Sequence, residues 1–320
     1  MRYFRVPTPE WESVCHLWDK RNTYSLAARL NIPVPRTWTH CDADRFAELG
    51  PHLPLAIKPA IKENFVYATG DKCWRADTVE ELRQLFARAR CCLPADEIML
   101  QDIIPGGGDD QLAYCAFFKS GKPLASMVVS RRRQHPREFG RASTCVETID
   151  CPEVENLAVR FLSAINYYGL VEVEFKRDSR DGNYRLLDVN GRTWGYHTLG
   201  CRAGVDFPWL LFADQVNQPV HTCRAAAGVR WVRLLTDLPT GISGVVHGEF
   251  GCKSYLASLW NCNEEAVFSI EDPLPAVAEI ALAPYIWLVR GALPHLRSFV
   301  PAALRAAKKS RKSLAAGARP

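Results

Sequence analysis

Two neighbouring segments do most to limit what this chain can become: GLVEVEFK at 169–176 and YRLLDVNGR at 184–192. In each, apolar residues alternate with polar ones, the period of a half-buried strand. The stretch between them, 177–183, is rich in hairpin residues, so an antiparallel pair is expected. Alternation then stacks acidic and amide oxygens on inward-facing positions of adjoining strands: Glu172 on the first, Asp188 and Asn190 on the second. Leu186, Leu187 and Val189 imply burial on at least one side, where unpaired carboxylates are costly unless a cation joins them. A few hard oxygens, with coordination left over for water and phosphate, suit magnesium. Arg192 falls on the same face under the period of two, within reach of a phosphate that the metal would orient. A hairpin whose charges face water is the competing arrangement.

At 320 residues and 48% hydrophobic content, the chain can bury a sizeable core, which excludes disorder for most of its length. The net charge of +5 is concentrated: Arg305, Lys308, Lys309, Arg311, Lys312 and Arg319 lie in the last twenty residues with no acid among them. The body is therefore close to neutral, and no nucleic-acid partner is expected. Twelve cysteines without a C-x-x-C pair exclude a zinc ribbon and a thioredoxin-like motif. With no apolar leader in residues 1–7, they point to free thiols in a reducing, cytoplasmic setting. The most apolar window, 276–289, contains Glu279 and Pro284 and is too short to span a bilayer. Followed by the basic tail, the stretch 276–312 fits peripheral contact with an anionic membrane, against the alternative of a core helix and a solubilising tail.

Helical spacing predicts helices over 9–30, 152–168 and 207–216, and the capping-box spacing of Thr78 and Glu81 predicts one from there to about Arg90. Strands are expected at 55–59, 98–104 and 228–234, with a hairpin formed by 111–119 and 122–131. Isolated helices among short strands, without strand-helix-strand repeats or a G-x-G-x-x-G fingerprint, argue for α+β rather than a doubly wound sheet.

An ordered series of short motifs adds to this: Asp19-Lys20, IPVP at 32–35, LPLAIKP at 53–59, MLQDIIPG at 99–106, Glu172, LDVNGR at 187–192 and AGVDFP at 203–208. In that order the chain resembles the ATP-grasp superfamily, in the manner of its carboxylate-amine ligases. The resemblance implies an α+β ATP-grasp fold, two α+β subdomains clasping ATP between them, plus a C-terminal extension. The expected divisions are an N-terminal helical segment (1–36), a small lid subdomain (37–103), a larger subdomain with the metal site (104–220), an extension (221–304) and a basic disordered tail (305–320).

The resemblance also carries roles. Lys20 and Lys58 match the lysines that contact ATP phosphates, as mobile point charges can. Gln101, Asp102 and Ile104 match the adenine hinge, the Asp102 carbonyl accepting from the amino group and the Ile104 amide donating to the ring. Asp109, or Asp110 beside it, is nearest to the position that holds the ribose. Glu172, Asp188 and Asn190 match ligands of Mg2+, which Mn2+ would also suit, and Asp188 stands where a glutamate is usual. Arg192 matches the arginine that stabilises charge on the transferring phosphoryl group or acyl phosphate. Apart from the resemblance, alternation puts Arg131 and Arg133 on one face, where they would clamp an anionic substrate or phosphate, a solvated basic turn being the competing arrangement. The 60–72 segment matches a phosphate-covering loop but holds one glycine, so Lys62, Thr69 and Lys72 side chains are expected to take over from backbone amides.

The implied activity is ligation: a carboxylate attacks ATP, and an amine (or a thiol) displaces phosphate from the acyl phosphate. Both substrates would be small molecules. Only eighteen residues precede Asp19, whereas relatives carry an α/β domain there. Either the chain is a shortened form, or a homodimer or another polypeptide supplies that surface, or the carboxylate pocket is incomplete. Two alternatives stay open: an ATP-binding subunit that is catalytically impaired or partner-dependent, and a kinase that phosphorylates a hydroxyl.

Overall fold

The computed structural model describes residues 4–39, 43–135, 139–140 and 142–289. They form two compact units divided between Ala266 and Val267, and the basic tail at 305–320 lies outside the described residues.

The first unit opens with α1 (Trp11–Trp18) and α2 (Lys20–Arg29), where the sequence suggested one helix over 9–30. Asp19 breaks it. Its backbone is extended, and its carboxylate accepts from the Arg21 amide, so it caps a second helix that begins at Lys20. Then come β1 (Thr37–Trp38), β2 (Leu55–Pro59), α3 (Lys62–Thr69), β3 (Trp74–Ala76), α4 (Val79–Arg90) and β4 (Ile98–Asp102). The four strands make an antiparallel sheet of order β1-β4-β2-β3. α4 packs Leu82, Phe86 and Ala89 onto the same core as Leu55, Ile57, Ile98 and Leu100. Thr78 caps that helix by accepting from the Glu81 amide. The segment expected as a phosphate-covering loop is largely the helix α3, stopped by Gly70 in the left-handed region (φ 78°).

The larger sheet contains β5 (Gln111–Lys119), β6 (Lys122–His135), β7 (Ala142–Ile149), β8 (Gly169–Arg177) and β9 (Tyr184–Asn190), with α5 (Pro152–Ala164) between β7 and β8. After α6 (Thr198–Arg202) and α7 (Phe207–Gln215), the short strands β10 (Cys223–Arg224) and β11 (Arg230–Val232) return to it. α8 (Leu234–Val246) and α9 (Cys252–Trp260) precede its last strand, β12 (Glu264–Glu265). The order is β12-β11-β7-β6-β5-β8-β9, with β10 alongside β6. The expected boundary at 220 therefore falls inside a sheet that runs on to Glu265. The second unit holds α10 (Leu274–Trp287).

Both faces of the large sheet are apolar. On one, Tyr114, Val128, Val173, Phe175 and Leu186 pack against α5 through Ala158, Phe161 and Leu162. On the other, Ala113, Cys115, Val129 and Val146 meet Trp194, Tyr196, Leu199 and Phe207.

The β8–β9 turn is held by Asp178, whose side chain is fully buried and takes bonds from the Arg180 backbone and guanidinium. Those hydrogen bonds outweigh burial and hold its carboxyl at about 2. Gly182 supplies the left-handed residue (φ 78°) that closes the turn. Just past β9, a Cβ on Gly191 would lie 2.9 Å from both Leu17 Cδ2 and the Tyr167 hydroxyl, so a larger residue there would have to displace those side-chain ends.

Candidate functional site

Strand register decides which side chains meet. Across β8 and β9, Glu172 faces Asn190 and Glu174 faces Asp188, and Cys115 and Ala113 of β5 sit opposite Glu172 and Glu174. All four polar residues thus project from the Cys115 face of the sheet. Glu174 is the one that reading the sequence passed over. It shares the parity of Glu172, and only the register shows which of the two stands across from Asp188.

The two glutamates are held differently. Glu172 is buried and saturated: its carboxylate accepts from Arg131 (2.9 Å), the Tyr196 hydroxyl (2.7 Å) and the Asn190 amide (3.3 Å). Glu174 accepts from Asn190 (2.9 Å) and Arg131 (3.0 Å) through Oε1, while among the described residues Oε2 meets only Gln111, at 3.5 Å. Burial pushes the Glu174 carboxyl up, but the charge of Arg131 and then Lys72 outweighs it, so the carboxyl lies below its ordinary value.

Lysines close on the same point from the smaller sheet and α2. The Lys20 amide donates to the Ala60 carbonyl (3.1 Å), and its ammonium pairs with Asp188. The Lys58 ammonium donates to the Tyr24 hydroxyl (2.8 Å) and lies 5.3 Å from that ring's centre, while Tyr24 donates to the Leu187 carbonyl (3.0 Å). Burial raises the Asp188 carboxyl, yet Lys20, with Lys58 and Lys62 beyond it, holds it at about 2. Lys20 is in turn pushed down by burial and, on balance, raised by Asp188. Lys72 donates to the Gly140 carbonyl (2.6 Å), and burial lowers it despite Glu174. Among the described residues, Lys20, Lys58, Lys62, Lys72 and Arg131 therefore gather around Glu172, Glu174 and Asp188, five cations to three carboxylates. The surplus of positive charge suits a polyanion.

The remaining expected residues scatter somewhat. The Gln101 side chain is buried and donates to Thr37 (2.7 Å), the Asp102 amide donates to the Arg36 carbonyl (2.9 Å), and Ile104 is buried just past the end of β4. Arg192 is exposed, with one guanidinium nitrogen 3.5 Å from Asn190 Oδ1 and the other donating to the Thr193 carbonyl.

Arg131 and Arg133 do not share a face. The β6–β7 register slips between Ser130 and Arg133, so Arg131 enters the carboxylate cluster while Arg133 turns to the reverse side. There it makes a two-pronged pair with Asp237 (2.8 Å each) and lies 5.0 Å from the centre of the Tyr255 ring. Asp109 is also away from the cluster, paired with Arg132 (2.8 Å), and Asp110 accepts from the Gly107 amide (2.9 Å). Asp109, Arg132 and Arg133 line a cavity of about 370 Å³ with Glu147, Arg230 and Tyr255. Its arginines are already matched by carboxylates.

Among the described residues, no three His, Cys, Asp or Glu side chains form a ready-made cation site. The donor set is instead mixed. Glu174, Asp188 and the Asn190 amide oxygen are hard ligands side by side on adjoining strands, with Lys20 and Arg131 at present supplying the countercharge. That chemistry fits magnesium.

Three comparisons bear on this arrangement. A family profile described as ATP-grasp in the biosynthetic pathway with Ter operon matches residues 118–236. A D-aspartate ligase of Enterococcus faecium is 24% identical over 231 residues, which cover 68% of this chain and 54% of that protein. The chain thus spans about half the length of the curated relative it matches. Among solved structures, the carboxyaminoimidazole ribonucleotide synthase of Aspergillus clavatus complexed with ATP superposes with a TM-score of 0.56 at 13% identity, over 74% of this chain and 63% of that one. The biotin carboxylase domain of the Hydrogenobacter thermophilus 2-oxoglutarate carboxylase, holding MgADP and bicarbonate, gives 0.55 at 15% identity, over 70% and 51%.

Proposed function

We propose that this chain, which belongs to the ATP-grasp superfamily and carries its fold, is an ATP-dependent ligase that joins a carboxylate to an amine through an acyl phosphate. The observation that carries the reading is the single sheet face on which Glu174, Asp188 and Asn190 stand together, ringed by Lys20, Lys58, Lys62 and Lys72. Phosphoryl transfer asks mainly for positioning and charge stabilisation, and this site offers both without a protein nucleophile.

In this reading the lysines bind the triphosphate, with Lys20 released from Asp188 to do so. Glu174, Asp188 and Asn190 hold Mg2+, which when bound neutralises phosphate charge and orients the γ-phosphoryl group. Glu172 acts one step back, fixing Arg131, Asn190 and Tyr196 through its three hydrogen bonds. Gln101, Asp102 and Ile104 border the adenine, and the Ile104 amide has no partner among the described residues, which leaves it able to donate to a ring nitrogen. α3 takes the place of a glycine-rich cover and brings Lys62 to its first turn. Arg192, exposed beside Asn190, meets the transferring phosphoryl group or the acyl phosphate. Arg133 and Asp109 take no part, because their charges are spent on the reverse side of the sheet.

The test is magnesium-dependent ADP release over a panel of carboxylates and amino acids. Release that needs both a carboxylate and an amine, and that falls at least about a hundredfold in Glu174→Ala and Asp188→Ala, supports ligation. ADP release with a stable phosphoester makes the protein a kinase, and ATP binding without ADP under any mixture makes it a nucleotide-responsive subunit. Unchanged turnover in both variants removes the metal assignment.

A further inference from the structure

The second compact unit presents a surface that nucleotide chemistry does not use. α10 has the sequence LPAVAEIALAPYIW and one charged residue, Glu279. A globular helix normally hides such side chains, yet Leu274, Val277, Ile280 and Tyr285 are each between 59% and 72% exposed, and Leu282 and Leu288 are about half exposed. At 100° per residue, the first four fall within an arc of about 140°, and Glu279 lies on the opposite side of the helix. The exposed stripe is thus continuous and uncharged.

The charge of the following chain identifies what covers it. After Glu279 the sequence holds no further acid to its end at residue 320, while Arg290, Arg297, Arg305, Lys308, Lys309, Arg311, Lys312 and Arg319 are all cationic. An apolar stripe leading into an acid-free basic run is complementary to a surface that is hydrocarbon beneath and negatively charged above. Fourteen residues make a helix about 21 Å long, shorter than the roughly 30 Å of a bilayer's hydrocarbon core. No helix among the described residues is long and apolar enough to cross a membrane.

We propose that α10 lies in the plane of an anionic phospholipid membrane, its Leu274–Val277–Ile280–Tyr285 stripe among the acyl chains and the basic run after it against the headgroups. Apolar burial and cations together give a reversible anchor where either signal alone is marginal. This holds whatever reaction the first unit performs.

The experiment is co-sedimentation of the full chain with vesicles of phosphatidylcholine alone and of phosphatidylcholine mixed equally with phosphatidylglycerol. Binding is expected to the mixed vesicles only, weakening at least about tenfold as salt rises to about 1 M, where screening is nearly complete. Two variants separate the signals: Val277→Glu with Ile280→Glu on the stripe, and Lys308→Glu, Lys309→Glu, Arg311→Glu and Lys312→Glu in the basic run. Each should lower partitioning at least about tenfold, because each removes one of two additive contributions. The stripe residues are solvent-exposed, and an unchanged unfolding temperature in both variants checks that the fold is intact. Equal binding to both vesicle types, no binding to the anionic ones, or undiminished binding in either variant overturns the proposal. So does a dimer in sedimentation velocity that Val277→Glu with Ile280→Glu converts to monomer while the parent ignores vesicles, since a second copy then covers the stripe.

Discussion

Replacing Asp188 with asparagine removes the anion around which three lysines gather, and its cost can be worked out from the site. Burial raises this carboxyl, but Lys20, Lys58 and Lys62 hold it at about 2 against an ordinary 3.8. A carboxyl held below its unfolded value contributes stability that is fully present above that unfolded value and is lost as the pH falls through the folded one. The gap corresponds to about 2 kcal/mol at pH 7, falling to about 1 kcal/mol at pH 3. Urea unfolding of the parent and Asp188→Asn, free of nucleotide and metal, at pH 7, 4 and 3 measures this. The variant should be less stable by about 2 kcal/mol at pH 7, and the difference should shrink by about 1 kcal/mol on going to pH 3. A difference below about 0.5 kcal/mol at pH 7, or one that does not change with pH, would refute the reasoning.

The same variant, read by calorimetry, should bind metal-free ATP more tightly than the parent and lose the enhancement by magnesium, since one anion leaves a phosphate-binding surface; weaker binding of metal-free ATP contradicts this. Glu172→Gln should lower stability by about 1–3 kcal/mol, because the hydrogen bonds from Arg131 and the Tyr196 hydroxyl then end on a neutral amide, with less effect on magnesium dependence than Glu174→Gln. The reverse ranking in a magnesium titration would return the ligand role to Glu172. Arg131→Met strands Glu172 and Glu174 in the interior and should cost about 3–5 kcal/mol in denaturant unfolding, so a stable variant would mean that other groups hold these carboxylates. Gly241→Ala drives a Cβ into the Tyr255 ring and should destabilise by about 1–3 kcal/mol, while an unchanged melting temperature would show that Tyr255 moves aside freely.

How much of this was legible in the sequence follows from range of interaction. The antiparallel pairing of β8 and β9, the cap at Thr78 and the strand at 55–59 rest on alternation and local hydrogen bonding, and all were readable. Register was not. Glu172 and Glu174 share a face, and choosing between them requires the length of the turn that Asp178 and Gly182 close and the irregularity at Phe175. The slip between Ser130 and Arg133 similarly sends Arg131 and Arg133 to opposite sides, which simple alternation cannot foresee. Apolar spacing continues across Asp19, which hides the break in 9–30 that its extended backbone and capping bond to the Arg21 amide produce. β7 was overlooked because its polar residues, among them Thr144, Glu147 and Thr148, hide an alternation that pairing with β6 and β11 makes use of.

The most direct measurement is isothermal titration of ATP into the protein with and without magnesium, for the parent and for Glu174→Gln. The parent should bind with a magnesium enhancement of about tenfold or more (about 1.4 kcal/mol), and Glu174→Gln should abolish that enhancement while still binding ATP through its lysines. ATP that does not bind, or an enhancement that survives intact in Glu174→Gln, would contradict a nucleotide site built on this face of the sheet.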